Sequence, residues 1–221
     1  MAEPPLDLAP EGTGAKPRLS VRRLFGLDRS GPPPPQTLAG QPLRPWTLPN
    51  AIGFTRLALI PVFLLVELAG GGAGAGALGA TLFAVIGWGD YADGIAARVT
   101  RQYSRLGALM DPITDRLLVI SGVVVCWRFE LLPRWALAVL VVRELTMLAL
   151  GRYGQARGVE LRINWPGRLA VAPVMGSFFF AMVGLRTFGE ILLYAGLTLA
   201  LIATGLYVRV GIAQLRGSSQ P

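Results

Sequence analysis

The sequence contains no histidine and a single cysteine, Cys126. Histidine is the side chain whose ordinary pKa lies closest to neutral pH, so acid–base chemistry in this chain falls to carboxylates. One cysteine excludes an intramolecular disulfide. Charged residues are also scarce, at 15% of the chain, and a group of them in an apolar region is therefore a candidate functional feature.

Apolar residues make up 52% of the 221 residues, and the mean hydropathy is +0.51. This composition predicts an all-α, polytopic membrane protein. A net charge of +8 suggests nucleic acid as a partner, but the basic residues lie mostly between apolar segments. Membrane topology and anionic lipid headgroups account for them there. We therefore expect membrane lipids as partners and no nucleic acid.

Six apolar segments follow one another, each close to the roughly 20 residues that cross a bilayer as a helix. They are residues 49–69, 76–97, 107–128, 132–151, 168–186 and 189–209. The sequence thus predicts six transmembrane helices in one domain over 47–210, followed by a tail over 211–221. Residues 1–46 are polar and rich in proline and glycine, which predicts a disordered tail without a cleavable signal peptide. In this tail, Leu19–Leu27 could form a short amphipathic helix on the membrane surface.

Arginines between the segments predict the orientation of the domain. The loops after the second and fourth segments hold seven arginines, and the loops on the opposite side hold three. The seven are Arg98, Arg101, Arg105, Arg152, Arg157, Arg162 and Arg168, and the three are Arg128, Arg134 and Arg186. Because arginine-rich loops stay on the cytoplasmic side, we expect both termini in the cytoplasm and the domain in the cell membrane.

Four carboxylates lie within 26 residues of this apolar chain, namely Asp90, Asp93, Asp111 and Asp115. Spacings of three and four residues place each pair on one side of a helix. Small residues share the same two faces: Gly94, Ala97 and Gly107. Charged pairs are often solvated faces, and small residues in membrane helices often serve close packing. Four carboxylates together near a bilayer instead favour a site for divalent cations with room for a ligand.

The four aspartates lie where the second segment ends and the third begins, which is the cytoplasmic interface in the predicted orientation. A water-soluble cosubstrate and a lipid can both reach this interface. Pro112 is expected in the first turn of the third helix, where the missing N–H of proline costs no helical hydrogen bond. Asp115 then lies one turn further in, on the same side as Asp111.

The pattern D-x2-D-G-x2-A-R-x8-G-x3-D-x3-D resembles the signature of the CDP-alcohol phosphotransferase family (class I CDP-alcohol phosphatidyltransferases) of integral membrane enzymes. All eight fixed positions match: Asp90, Asp93, Gly94, Ala97, Arg98, Gly107, Asp111 and Asp115. The order of apolar segments extends the resemblance from about Thr47 to about Val210. The resemblance implies an enzyme of phospholipid synthesis that transfers a phosphatidyl group from CDP-diacylglycerol to an alcohol and releases CMP. Similar enzymes are commonly homodimers.

The resemblance also implies roles for the four aspartates. Asp90, Asp93 and Asp111 would bind divalent cations, Mg²⁺ or Mn²⁺ and two in number, that hold the diphosphate of the substrate. Asp115 would be the base that deprotonates the attacking hydroxyl and would also contact the second ion. These roles agree with the chemistry, since a cation neutralises the diphosphate while a nearby carboxylate accepts the proton.

The remaining signature residues would bind the CDP moiety. Gly94, Ala97 and Gly107 are small, which would allow the nucleotide to approach the backbone. Arg98 would contact a phosphate, and the alternative for this arginine is an anchor at the membrane interface.

Other similarities bear on the acceptor. Leu48–Asn50 followed by Arg56 resembles the start of the first span in members that use glycerol phosphate, and Arg143-Glu144 resembles phosphatidylglycerophosphate synthases. Leu106–Pro112 resembles both these enzymes and the actinobacterial cardiolipin synthases. We therefore expect glycerol 3-phosphate as the acceptor, with phosphatidylglycerol as the alternative.

Three arginines on the predicted cytoplasmic side suit a phosphorylated acceptor: Arg152, Arg162 and Arg168. The alternative is that they only set the topology. Arg168 stands where both groups of similar enzymes carry a lysine.

A cation-coupled membrane transporter is the alternative from another functional class, since six spans and four carboxylates are compatible with it. The carboxylates, however, cluster at one interface and not at the bilayer midplane, and no inverted repeat is apparent. These two features favour the enzyme.

Overall fold

The computed structural model describes residues 34–38, 40–70, 76–156 and 165–217. This part of the chain contains six α-helices and one short 3₁₀-helix, Pro35–Thr37, and it has no strand. The predicted all-α class is confirmed. The predicted tail before residue 34, with its amphipathic helix, lies outside the described residues.

The six helices follow the six apolar segments. They are α1 (Leu48–Ala69), α2 (Ala77–Thr100), α3 (Arg105–Arg128), α4 (Arg134–Ala156), α5 (Trp165–Met182) and α6 (Arg186–Gly217). The last helix continues beyond residue 209, where its apolar segment ends, so that the backbone of the predicted tail is helical as far as Gly217. The first four helices begin and end within a few residues of the predicted segments.

Two of these helices are long and apolar enough to cross a membrane by length and composition, Leu48–Ala69 and Arg186–Gly211. Leu169–Met182 is a shorter apolar stretch within the described residues. The outward faces also carry large apolar side chains, for example Leu65 at 67% and Val142 at 63% exposure. These features support membrane association, whereas six membrane-spanning helices remain a prediction.

The core is formed by aromatic and aliphatic side chains from all six helices. The Phe83 ring of α2 lies between Phe63 of α1 and Phe178 of α5, with centroid distances of 5.6 and 5.9 Å. Gly122 of α3 lies against the same Phe178 ring, since a Cβ there would stand 2.6 Å from Cδ2. Tight packing of this kind holds α3 against α5 and fixes the position of α3 in the bundle.

A four-residue connection, 101–104, joins α2 to α3. Arg101 ends α2 in the left-handed conformation with φ of 57°, and Ser104 caps α3 by accepting a hydrogen bond from the Gly107 N–H at 2.9 Å. The connection brings the end of α2 and the start of α3 to the same end of the bundle. The paired aspartates of the two helices therefore lie at that end.

Pro112 is not in the first turn of its helix, contrary to the sequence-based expectation. The helix begins at Arg105, and Pro112 lies inside it. The expectation required a helix that starts near Asp111, whereas the Ser104 cap starts α3 six residues earlier, at Arg105. The missing N–H of Pro112 leaves the Ala108 carbonyl without its helical donor, and α3 tolerates this loss near its exposed end.

Candidate active site

The site is centred on Arg56 of α1, whose guanidinium contacts three of the four aspartates. Nη1 donates to Asp90 Oδ1 at 3.3 Å and to Asp93 Oδ2 at 3.0 Å, and Nη2 donates to Asp115 Oδ1 at 2.9 Å. Asp90 and Asp93 come from α2 and Asp115 comes from α3. One arginine therefore ties three consecutive helices together through carboxylates.

Burial changes across this group of residues. The side chains of Arg56 and Asp93 are 3% and 8% exposed, whereas those of Asp90 and Asp115 are 49% and 47% exposed. Arg56 and Asp93 thus form the inner wall of the site, and Asp90 and Asp115 face its opening. A ligand entering from outside meets the two exposed carboxylates first.

Asp111 lies one turn before Asp115 on α3 and is half-buried. In the described part of the chain it makes no hydrogen bond or ion pair with another residue. We call Asp90, Asp93, Asp111 and Asp115 the aspartate cluster. With all four aspartates ionised and Arg56 positive, the aspartate cluster and Arg56 together carry a net charge of −3, which attracts cations.

The donors of the aspartate cluster fit a hard divalent cation, because carboxylate oxygens are the preferred ligands of Mg²⁺. Among the residues that the structure describes, no group of three or more potential ligands stands at the spacing of a formed metal site. The oxygens of three aspartates are instead spaced around the Arg56 guanidinium. The chemistry of the predicted ligands is therefore suited to a cation, and their present spacing is set by an arginine.

Two glycines leave the space that neighbouring side chains of the site occupy. A Cβ on Gly89 would stand 2.7 Å from both Cγ and Cδ of Arg56, so glycine leaves room for the arginine stem. A Cβ on Gly107 would stand 2.8 Å from Asn50 Oδ1. The sequence predicted that Gly107 admits the nucleotide. In the structure Asn50 and Ser104 occupy the space where a side chain would stand, and contact with a nucleotide remains a prediction.

Asn50 links the start of α1 to the start of α3 and is only 1% exposed. Its Oδ1 accepts a hydrogen bond from Ser104 Oγ at 2.7 Å, and its Nδ2 donates to the carbonyls of Arg44 and Pro45 at 2.9 and 3.1 Å. The Leu48 N–H also donates to Gln102 Oε1 at 2.9 Å. These bonds hold α1, which carries Arg56, against the α2–α3 connection.

The other predicted CDP-binding residues lie on the last turns of α2. Gly94, Ala97 and Arg98 are half-buried, and a Cβ on Gly94 would stand 3.3 Å from Arg98 Nη2. The Arg98 guanidinium thus lies beside Gly94, the residue that follows Asp93. The placement leaves their predicted roles open to test.

The three predicted acceptor-binding arginines are not brought together within the described residues. Arg152 is exposed near the end of α4. Arg162 lies outside the described residues, and the side chain of Arg168 on α5 is not described. Their role remains a prediction.

Arg143 and Glu144 of α4 pair with each other, and Arg143 Nε donates to Thr204 Oγ1 of α6 at 3.2 Å. Charged residues within an apolar segment are expected to pair across the bundle or to line a cavity. The bond from Arg143 to α6 agrees with the first of these two possibilities.

Arg56 was not predicted as a site residue from the sequence, where it is only one position in a resemblance. The available signal was its charge within the apolar segment 49–69, since a charge in such a segment needs a partner and commonly marks function.

The sequence profile of the CDP-alcohol phosphatidyltransferase family matches residues 46–202. The matched region contains Asn50, Arg56 and every residue of the aspartate cluster. It covers α1 to α5 and the first half of α6. The site described above therefore lies entirely within the family domain.

Among similar proteins, a putative cardiolipin synthase of Mycobacterium tuberculosis is 34% identical over 139 residues, which are 62% of this chain and 65% of that protein. The cardiolipin synthase (CMP-forming) of Streptomyces coelicolor is 36% identical over 136 residues, 60% of this chain and 63% of that protein. The chain thus spans slightly less than two thirds of these two relatives. A probable phosphatidylglycerophosphate synthase of Mycobacterium tuberculosis is 30% identical over 179 residues, 78% of this chain and 85% of that protein.

Proposed function

The chain belongs to the CDP-alcohol phosphatidyltransferase family, and on that premise we propose that it transfers a phosphatidyl group from CDP-diacylglycerol to glycerol 3-phosphate and releases CMP. The observation that carries this proposal is the convergence of Asp90, Asp93 and Asp115 on one guanidinium at one end of the bundle. Three of the four aspartates of the family signature thereby share one acidic site.

We assign the aspartates as follows. Asp90, Asp93 and Asp111 would hold the divalent cations, Mg²⁺ or Mn²⁺, and Asp115 would contact the second ion. When bound, the cations supply charge neutralisation to the diphosphate and to the leaving CMP. Asp115 is half-exposed at the opening of the site, where a hydroxyl can reach it.

The chemical step is a direct substitution. Asp115 accepts the proton of the acceptor hydroxyl, and the oxygen of this hydroxyl forms a bond to the β-phosphorus of CDP-diacylglycerol. The bond between this phosphorus and the bridging oxygen breaks, and CMP leaves with the electron pair. Asp115 then returns its proton to water. No covalent intermediate with the enzyme is required.

The membrane arrangement is part of the proposal. Six helices cross the cell membrane, both termini lie in the cytoplasm, and the aspartate cluster opens at the cytoplasmic surface. The apolar outward faces of the helices and the arginines of the connections after α2 and α4 support this arrangement. A soluble acceptor and a lipid donor then meet at the same interface.

Phosphatidylglycerol is the second candidate acceptor. The two relatives named as cardiolipin synthases have the higher identities, 34% and 36%, but over shorter alignments than the relative named as a phosphatidylglycerophosphate synthase. Either acceptor offers a hydroxyl to Asp115. The two differ in whether the acceptor is soluble or embedded in the bilayer.

An assay of CMP release tests the function and identifies the acceptor. Purified protein is supplied with CDP-diacylglycerol and Mn²⁺, and glycerol 3-phosphate, phosphatidylglycerol and myo-inositol phosphate are offered separately. We expect CMP with glycerol 3-phosphate alone. Release with phosphatidylglycerol alone would establish the second candidate, and no release with any acceptor from folded protein would reject both. A transporter would bind cations without releasing CMP.

A further inference from the structure

Arg56 occupies a position that needs explanation beyond the assigned chemistry. A permanent positive charge is buried among the very carboxylates that are assigned to bind divalent cations. The reaction outlined above gives this arginine no step. Its contacts indicate what it does.

Uncharged contacts hold Arg56 in place. Its Nε donates to the Ile86 carbonyl of α2 at 3.0 Å, and its stem fills the space that Gly89 leaves open. The side chain is 3% exposed. Because these contacts do not involve the aspartates, Arg56 keeps its position whether or not the aspartates acquire another cation.

Arg56 donates hydrogen bonds to only three of the eight carboxylate oxygens of the aspartate cluster. It contacts one oxygen each of Asp90, Asp93 and Asp115, and it has no bond to Asp111. Five carboxylate oxygens of the cluster are thus left outside its hydrogen bonds, since each aspartate has two. A divalent cation can use these oxygens while Arg56 remains.

We propose that Arg56 is a permanent cation of the aspartate cluster, which stabilises the cluster in the absence of a divalent ion and weakens the binding of that ion. The physical reason is that one fixed positive charge reduces the repulsion among four close carboxylates and also repels an incoming cation. Arg56 is therefore a positioning residue. The proposal rests on the proposed function only in requiring that the cluster binds a divalent cation.

Thermodynamic linkage makes the proposal measurable. If Arg56 contributes more to the metal-free protein than to the metal-bound protein, its removal lowers the stability of the first more than that of the second. The same difference in free energy then appears as tighter binding of the cation by the variant. A residue that only supported the fold would not increase the affinity for Mn²⁺.

The experiment measures the unfolding temperature of the purified full chain during titration with Mn²⁺, without a lipid substrate. Arg56→Gln and Arg56→Met remove the charge, and Arg56→Met also preserves most of the stem. Arg56→Lys keeps the charge. Arg128→Gln is the matched control, because it makes the same change in net charge 13 residues beyond Asp115, about 20 Å along α3.

We expect the two variants without the charge to unfold at a lower temperature in metal-free buffer and to bind Mn²⁺ about tenfold more tightly, which corresponds to about 1.4 kcal/mol. Arg56→Lys is expected to stay closer to the wild type in affinity, and Arg128→Gln to match it. Variants that fold only with Mn²⁺ would be the limiting case and would support the proposal.

Equal or weaker binding of Mn²⁺ by folded Arg56→Gln and Arg56→Met would overturn the proposal. Failure of both to fold even at saturating Mn²⁺ would also overturn it, because the metal-bound protein would then need Arg56 as much as the metal-free one. A wild-type protein that Mn²⁺ does not stabilise would reject this proposal together with the cation site. Wild-type binding with no gain in the variants would reject the role of Arg56 alone and leave the proposed function intact.

Discussion

The two halves of α1 each bury a charged side chain, and the two side chains differ in their hydrogen-bond partners. Arg56 donates hydrogen bonds to a carbonyl and to three carboxylates on two neighbouring helices. Glu67, eleven residues and about 16 Å further along, is 4% exposed, and neither carboxylate oxygen has a hydrogen-bond partner in the described part of the chain. It packs against Gly79 of α2, which leaves room for the carboxyl group.

The difference shows that burial of a charged residue does not by itself mark a functional site. Burying an unpaired ionised group is costly, and burying a paired one costs less when its hydrogen bonds are made. Arg56 gains four acceptors, three of which are aspartates of the family signature, whereas Glu67 contributes a packing contact between α1 and α2. The partners of a buried charge, which only the fold reveals, separate the two cases.

The largest expected effect comes from removing the proposed base, Asp115, which contacts Arg56. Asp115→Asn keeps an oxygen that can accept the hydrogen bond from Arg56 Nη2 but removes the proton acceptor. We expect CMP release to fall by about 10²- to 10⁴-fold, with little change in the unfolding temperature. Glu130→Gln, an exposed carboxylate beyond the far end of α3, is the control. Normal turnover by Asp115→Asn would show that another group accepts the proton.

A smaller effect is expected from displacing Arg56 without changing any charge. The Cβ of Gly89→Ala would stand 2.7 Å from the Arg56 stem, and the guanidinium must shift from the aspartates. We expect CMP release to fall about tenfold, since small displacements of site groups are costly. Gly87→Ala, two residues earlier, is the matched control, because its Cβ would stand 3.8 Å from Leu118 Cδ2 in ordinary contact. Equal activities for the two variants would argue that the position of Arg56 is not critical.

The smallest effect is expected at Glu67, in the second half of α1. Glu67→Gln preserves the shape of the side chain and keeps an oxygen that can accept a hydrogen bond, so the free energy of unfolding should change by no more than about 1 kcal/mol. CMP release should match that of the wild type. Thermal unfolding curves of the Arg56 and Glu67 variants, with and without Mn²⁺, compare the two buried charges of α1 directly. A large loss of stability in Glu67→Gln would remove the contrast with Arg56.

Much of the fold could be predicted from the order of apolar segments, because six such segments became six helices. The predicted end of the fifth helix was wrong. It ends at Met182 because Gly184 takes a positive φ of 90° and the Leu185 N–H donates to the Phe180 carbonyl at 2.9 Å. Val183 and Leu185 are apolar, so hydropathy carries no sign of this turn. Hydropathy finds helices and misses the local chemistry that ends them.

The candidate site was predicted in part. The spacing of Asp90, Asp93, Asp111 and Asp115 identified two acidic helix faces, and the short α2–α3 connection brings them to one end of the bundle. The place of Arg56 among them could not be predicted, because its hydrogen bonds span 30 to 59 residues of sequence. Periodicity describes one helix at a time and does not say which face of the next helix it meets.

The bonded groups of the site all come from the first three helices and their connections. The ion pairs of the aspartate cluster join α1 to α2, the next helix in the chain, and to α3, the one after it. During synthesis these helices leave the ribosome before α4, α5 and α6 do. The ionic centre can therefore assemble early, and α5 then packs against α2 and α3 through Phe178, which contacts Phe83 and Gly122.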